Sequence, residues 1–183
     1  MDQNWNQADF KHEDLKETVK TIHVCVHENA NEENQGVGGS PPVNHWVVFL
    51  EISDSHSVCM DMALDFLKFH AEDDDLRGQI DISTRKYKFT RNAIHRLSFP
   101  TKGSPKIEDI VNLINSIGLH RYTYASGNEG CRFWVYKLIS YLEIGGIVES
   151  GSAGKTWADA CYYYVDPSER DARDVKKGTF RTS

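Results

Sequence analysis

Long apolar runs are missing from this chain: none of its 183 residues lies in a stretch approaching the ~20 apolar positions a bilayer-spanning helix needs. A basic excess is missing too. Lys and Arg number 21 against 27 Asp and Glu, a net charge of −6. Little is therefore available to neutralise a phosphate backbone, and a nucleic-acid partner is not expected. The four cysteines (Cys25, Cys59, Cys131, Cys161) make no CxxC pair, which removes the common dithiol and zinc-ribbon motifs and suits reduced thiols. The opening "MDQNWNQADFKHEDLKETVK" has neither the apolar core of a secretory signal nor the arginines of a transit peptide. These absences together predict a cytoplasmic protein. No segment repeats at a fixed period.

What is present is ordinary for a globular protein: 39% hydrophobic and 26% charged residues, enough for one domain to bury a core without staples. Residues 1–18 read as a flexible arm or short helix, 19–166 as the domain, and 167–183 as a polar tail of interleaved charge. Within the domain, "VKTIHVCVHE" alternates, with Ile22, Val24 and Val26 on one side and His23, Cys25 and His27 on the other. A loop follows at 29–42. "VNHWVVFLEI" is a second strand, with His45, Val47, Phe49 and Glu51 opposite Trp46, Val48, Leu50 and Ile52. After the turn "SDSH", "SVCMDM" reads as its hairpin partner.

Further strands are expected at "QIDIST" and "AIHRLSF", and with less support at "RKYKFT". "SPKIEDIVNLINSIG" has the punctuation of a helix, with Ser104 to cap it, Pro105 at the first position and Gly118 to stop it. A second helix starts at Cys131 and ends at Gly145 and Gly146. Val135, Leu138 and Leu142 recur at helical spacing along it, widened by Phe133, Trp134 and Ile139. "ACYYYVD" offers a closing strand. Strands, helix, helix, strand predicts an α+β fold: a mostly antiparallel sheet packed by two helices.

Cys131 is the residue that raises a chemical question. It stands at a helix start behind "GNEG", where unpaired N–H groups and the positive dipole end favour negative charge. A nucleophilic thiol would gain there, although a small apolar residue packing a helix start is an equally simple explanation. Thiol chemistry needs a base, and eight histidines are available. His12, His56, His70 and His120 read as surface residues, and His95 falls among mixed neighbours. His45 opens a strongly apolar strand after a Gly/Pro-rich loop, which makes it both rigid and accessible. His23, Cys25 and His27 share a strand face, but side chains roughly 6–7 Å apart are wide for one zinc ion and no fourth ligand is near. No metal is expected. "GSAGKT" lacks the first glycine of a phosphate loop, because Glu149 stands there, and it follows a helix. No cofactor is expected either. The carboxylates of "HAEDDDLRG" read as a solvated loop.

A histidine opening a strand as "NHWVVFL" and a cysteine opening a helix far downstream as "GCRFWVYKLI" resembles the circularly permuted papain-like fold. Lecithin:retinol acyltransferase-like proteins, permuted NlpC-type hydrolases and PPPDE isopeptidases share that order. The whole sequence also resembles an uncharacterised family of short fungal proteins with the same "NHW" and "GCRFW" blocks. The permuted resemblance spans roughly residues 43–145 and implies His45 as general base and Cys131 as nucleophile. It also implies a third polar residue on the next strand, where Asp61 is the candidate. The departure is Gly130, where the acyltransferase-like proteins usually have Asn before the cysteine. Gly130 would let the loop approach a carbonyl, and the N–H groups of Cys131 and Arg132 would hold an oxyanion.

The expected activity is a thiol-dependent hydrolase or acyltransferase acting on an ester, thioester or amide of a small-molecule substrate, in fungal secondary metabolism. Trp46, Tyr124 and Trp134 are the expected pocket residues. Two other readings stand beside it. One is a cyclase-like enzyme with an aromatic pocket and no covalent step, and the other is a binding module without activity.

Overall fold

Alternating apolar side chains build the central layer of the protein, seen in a computed structural model that describes residues 1–27, 44–64, 76–127 and 129–182. In chain order the large-sheet strands are β1 (Trp5–Asn6), β2 (Thr21–His27), β3 (His45–Ser53), β4 (His56–Leu64), β5 (Gly78–Arg85) and β6 (Ala93–Pro100). They lie in the order β1-β5-β4-β3-β2-β6. All neighbours are antiparallel except the β1–β5 pair at one edge. Then come α1 (Ile107–Ser116), β7 (Tyr122–Thr123), α2 (Cys131–Ile144), α3 (Ser152–Ala160), β8 (Tyr162–Tyr164), β9 (Arg170–Ala172) and β10 (Thr179–Phe180). The fold is α+β, with three α-helices among the described residues where two were expected.

Because side chains alternate along a strand, the sheet has two distinct faces. Ile22, Val24 and Val26 of β2 share one with Trp46, Val48 and Leu50 of β3 and Val58, Met60 and Met62 of β4. That face packs against Ile107, Ile110 and Ile114 of α1 and Trp134, Leu138 and Leu142 of α2. Each large apolar side chain buried in this way contributes about 1.5–3 kcal/mol. Among the described residues the opposite face carries a smaller buried cluster of Cys25, Val47, Phe49 and Cys59. Beside it, His23 lies between Ser98 (2.8 Å) and Glu51 (2.9 Å), and Lys88 closes on Glu51 at 2.8 Å. The buried charge is paired, as it must be in a half-dry layer.

Several expectations need correction. Residues 1–18 are part of the fold and not a loose arm: β1 pairs with β5, residues 12–16 form a 3-10 helix, and Trp5 and Phe10 are buried. Two isolated aromatic anchors suffice for docking yet leave no periodic signal. The segment 167–183 is likewise held, since β9 pairs with β8, β10 pairs with β7, and the Phe180 ring lies 5.1 Å from Tyr122. The strand at "ACYYYVD" therefore closes a separate two-stranded ribbon and does not join the large sheet.

The third helix, α3, opens inside "GSAGKT". Its start is held by Glu143, whose carboxylate accepts from the N–H groups of Gly151 (3.0 Å) and Ala153 (2.7 Å). A tertiary cap of that kind is invisible to local pattern. The α1 N-cap is Lys106 and not Ser104. In "RKYKFT" Arg85 ends β5 and the next four residues are bends. The loops expected at 29–42 and around the acidic run at 70–75, with His70, lie outside the described residues.

Candidate functional site

The start of α2 is held by a tyrosine. Gly130, the residue before the helix, has φ +148, and a Cβ added there would lie 2.5 Å from the Tyr122 hydroxyl. Tyr122 is fully buried; its hydroxyl donates to the Gly130 carbonyl (2.9 Å) and accepts from the Gly178 N–H (3.0 Å). Glycine is therefore required for both backbone angle and space. Gly130 is consequently fixed, and Cys131 enters α2 at a set position.

The Cys131 thiol is half-buried and reaches the main-chain carbonyl of Asn44, with Sγ 3.8 Å away. Asn44 is itself clamped. Its Nδ2 donates to the Tyr164 carbonyl (2.9 Å) and its Oδ1 accepts from the Tyr164 N–H (2.7 Å), at 2% exposure. The next residue is His45. The β3–β4 register pairs Val47 with Asp61, so Asp61 points to the same face as His45, one pleat along. Its Oδ2 accepts from His45 Nε2 at 2.9 Å.

Burial by itself would lower the pKa of His45. The hydrogen bonds to Asp61 and Cys131, with the charges of both, outweigh burial and raise it to about 10. The His45 side chain keeps 41% of its surface open, so solvent moderates this pairing. With Nε2 taken by Asp61, Nδ1 is the ring nitrogen left for the thiol. The N–H groups of Cys131 and Arg132 lie in the first turn of α2, where no intrahelical acceptor exists for them.

The structure thus brings Cys131, His45, Asp61 and Gly130 to one place. Tyr124 adjoins them: it is 8% exposed, its hydroxyl donates to the Met62 carbonyl, and burial first, then the charges of Cys131 and Asp61, keep it a neutral phenol. The other pocket candidates are elsewhere. Trp46 and Trp134 are both at 0% exposure in the main core, and Trp134 Nε1 donates to the Leu119 carbonyl at 2.9 Å. They pack under the site and cannot line an opening. The Arg132 side chain also turns away, donating to the carbonyls of Ala160 (2.9 Å) and Asp174 (3.0 Å) and pairing with Glu129 at 3.3 Å. Only its backbone faces the candidate oxyanion position.

Sequence reasoning missed Asn44, Tyr122 and His27. His27 stands directly opposite His45 in the β2–β3 register, which antiparallel pairing of two strands that end in histidine would have signalled. Two further histidines have partners of their own: His56 pairs with Asp14 (3.2 Å), and His95 with Asp159 (2.7 Å). His120, expected at the surface, is 3% exposed and reaches Asp2 at 3.3 Å. A cavity of about 1210 Å³ lies beside Glu129, Trp157, Cys161, Arg173 and Lys177; neither His45 nor Cys131 lines it. Among the described residues no helix is long and apolar enough to cross a membrane.

Fold and site together define an α+β protein with a thiol, an imidazole and a carboxylate aligned at one end of its sheet. The chain belongs to the family described as Domain of unknown function (DUF7770), which matches residues 22–181. No curated protein and no solved structure matches it.

Proposed function

We propose that the protein is a cysteine hydrolase or acyltransferase that works through Cys131, His45 and Asp61 on an ester, thioester or amide of a small molecule. The observation that carries this reading is the 2.9 Å bond from His45 Nε2 to Asp61, on the residue next to Asn44, whose carbonyl the Cys131 thiol reaches. An oriented base beside a nucleophile at a helix start is the arrangement nucleophilic catalysis requires. The resemblance to permuted papain-like enzymes points the same way.

In the first step the Cys131 thiolate attacks the carbonyl carbon, and the electron pair of the C=O bond moves to its oxygen. The N–H groups of Cys131 and Arg132 receive that oxyanion. Collapse expels the leaving group, which takes the proton from His45, and a thioester to Cys131 remains. In the second step an acceptor gives its proton to His45, attacks the thioester carbon and breaks the C–S bond. Asp61 holds the imidazole in one tautomer throughout. The reading of a non-covalent aromatic pocket loses Trp46 and Trp134, which are core residues, and keeps Tyr124 beside the site.

The test is alkylation of native protein by iodoacetamide across pH, followed by peptide mapping. Cys131 should stay reactive as pH is lowered towards about 6, and Cys131→Ala should abolish release from a p-nitrophenyl ester while leaving the fold intact. Cys131 that reacts only in alkali, with or without His45→Ala, would leave the site without a couple and favour the binding-module reading.

A further inference from the structure

His45 has a neighbour on each side, and only one is explained. Asp61 on β4 holds Nε2. On β2, His27 is paired across from His45, with ring centroids 6.5 Å apart at 60°. His27 Nε2 is buried with no hydrogen-bond partner among the described residues, and so is the free oxygen of Asp61, Oδ1. A buried polar atom without a partner costs about 1–3 kcal/mol, so an orphan on each side of a reactive imidazole needs a reason. The β2–β6 register slips between Val26 and His27, a bulge of the sort that re-aims a side chain beside a site. Burial first, and then the cationic His45, lower the pKa of His27, so a neutral imidazole lies next to a protonated one.

The spacing identifies what fits between the rings. Ring nitrogens lie about 1.2 Å from their centroids, so a direct N–H···N bond in line would set the centroids about 5 Å apart, and one bridging oxygen about 7 Å. The observed 6.5 Å matches a single oxygen.

We infer that His27 forms the acceptor subsite of the acyl-transfer reaction, holding the hydroxyl oxygen of water or of a small alcohol against His45. This rests on the proposed function and adds the nucleophile of its second step. In its Nε2–H tautomer His27 donates to one lone pair of that oxygen. The O–H bond points at His45, which is neutral after the leaving group has taken its proton. The second lone pair attacks the thioester carbon, the O–H proton passes to His45, and the C–S bond breaks to return the Cys131 thiolate. Nothing is left over, and no co-reactant beyond the hydroxyl compound is needed. His27 touches the acceptor and not the acyl donor, so it should act on the second step alone.

Burst kinetics with p-nitrophenyl acetate separate the steps. The burst of p-nitrophenol reads formation of the acyl-enzyme, and the steady state reads its transfer. His27→Ala should keep the burst within about twofold and slow the steady state about tenfold, the loss of one hydrogen bond worth about 1.4 kcal/mol. His27→Gln, whose amide N–H reaches a similar point, should recover most of that loss. Added methanol distinguishes the acceptors: methyl acetate appearing in place of acetate in wild type, and less of it in His27→Ala, identifies an alcohol site, whereas acetate alone identifies a water site. Burst and steady state falling together in both variants, or a steady state unchanged by both, overturns the subsite. A burst that survives Cys131→Ala overturns the proposed function instead, and the two failures are read from different proteins.

Discussion

At the scale of single residues, the pH response of His45 follows from its partners. The groups facing it are Asp61, Cys131 and His27. Its folded pKa of about 10 stands above the unfolded value of about 6.5. The pairing therefore stabilises the fold fully below about pH 6.5, and that contribution is lost as pH rises towards 10. Asp61→Asn should lower the urea midpoint at pH 6, with the gap to wild type narrowing by pH 10. A gap independent of pH would mean that the carboxylate does not hold the imidazolium. Gly130 supplies a second prediction. Gly130→Ala places a methyl 2.5 Å from the Tyr122 hydroxyl at φ +148, and should cost about 2 kcal/mol or more by chemical denaturation together with loss of Cys131 reactivity. Full stability would show that the loop has another available path.

At the scale of elements, α2 and α3 are joined by a carboxylate. Glu143, near the end of α2, accepts from two N–H groups at the start of α3, and these bonds from Ala153 and Gly151 lower its pKa. A depressed carboxylate stabilises above its unfolded value of about 4.3, and the effect is lost as pH falls through the folded value. Glu143→Ala should lower Tm at pH 7, and the difference should vanish in acid. Were it to persist at pH 2, the side chain would be acting through packing alone. Strands β2 to β5 were legible one by one because each alternates cleanly; β1, two residues long, has no such signal. α3 was not legible, since its start depends on Glu143 and not on a residue within the helix.

At the scale of the whole molecule, burial sorts the thiols. Cys25 and Cys59 lie on the small apolar face of the sheet, and burial pushes both up to about 12. Cys131 and Cys161 are half-buried. Native protein at pH 8 should therefore label at Cys131 and Cys161 only, and at all four after denaturation. Rapid native labelling of Cys25 or Cys59 would mean that the sheet opens locally, well below global unfolding. The terminal segments bear on the same stability. Trp5, Phe10 and Phe180 are the anchors that hold them against the body, so trimming either end removes core.

The α+β class, strands β2 to β6 of the central sheet, the start of α2 at Cys131 and the candidacy of His45 with Asp61 were readable from sequence, because each rests on local periodicity, a glycine stop or a motif order. Tertiary structure decided the rest. It placed Trp46 and Trp134 in the core, since strand and helix patterns say which face a residue takes but not what covers that face. It turned the Arg132 side chain towards Ala160 and Asp174, partners 28 and 42 residues away along the chain. It set His27 beside His45 through the β2–β3 register, and a register is a relation between two strands that neither carries alone.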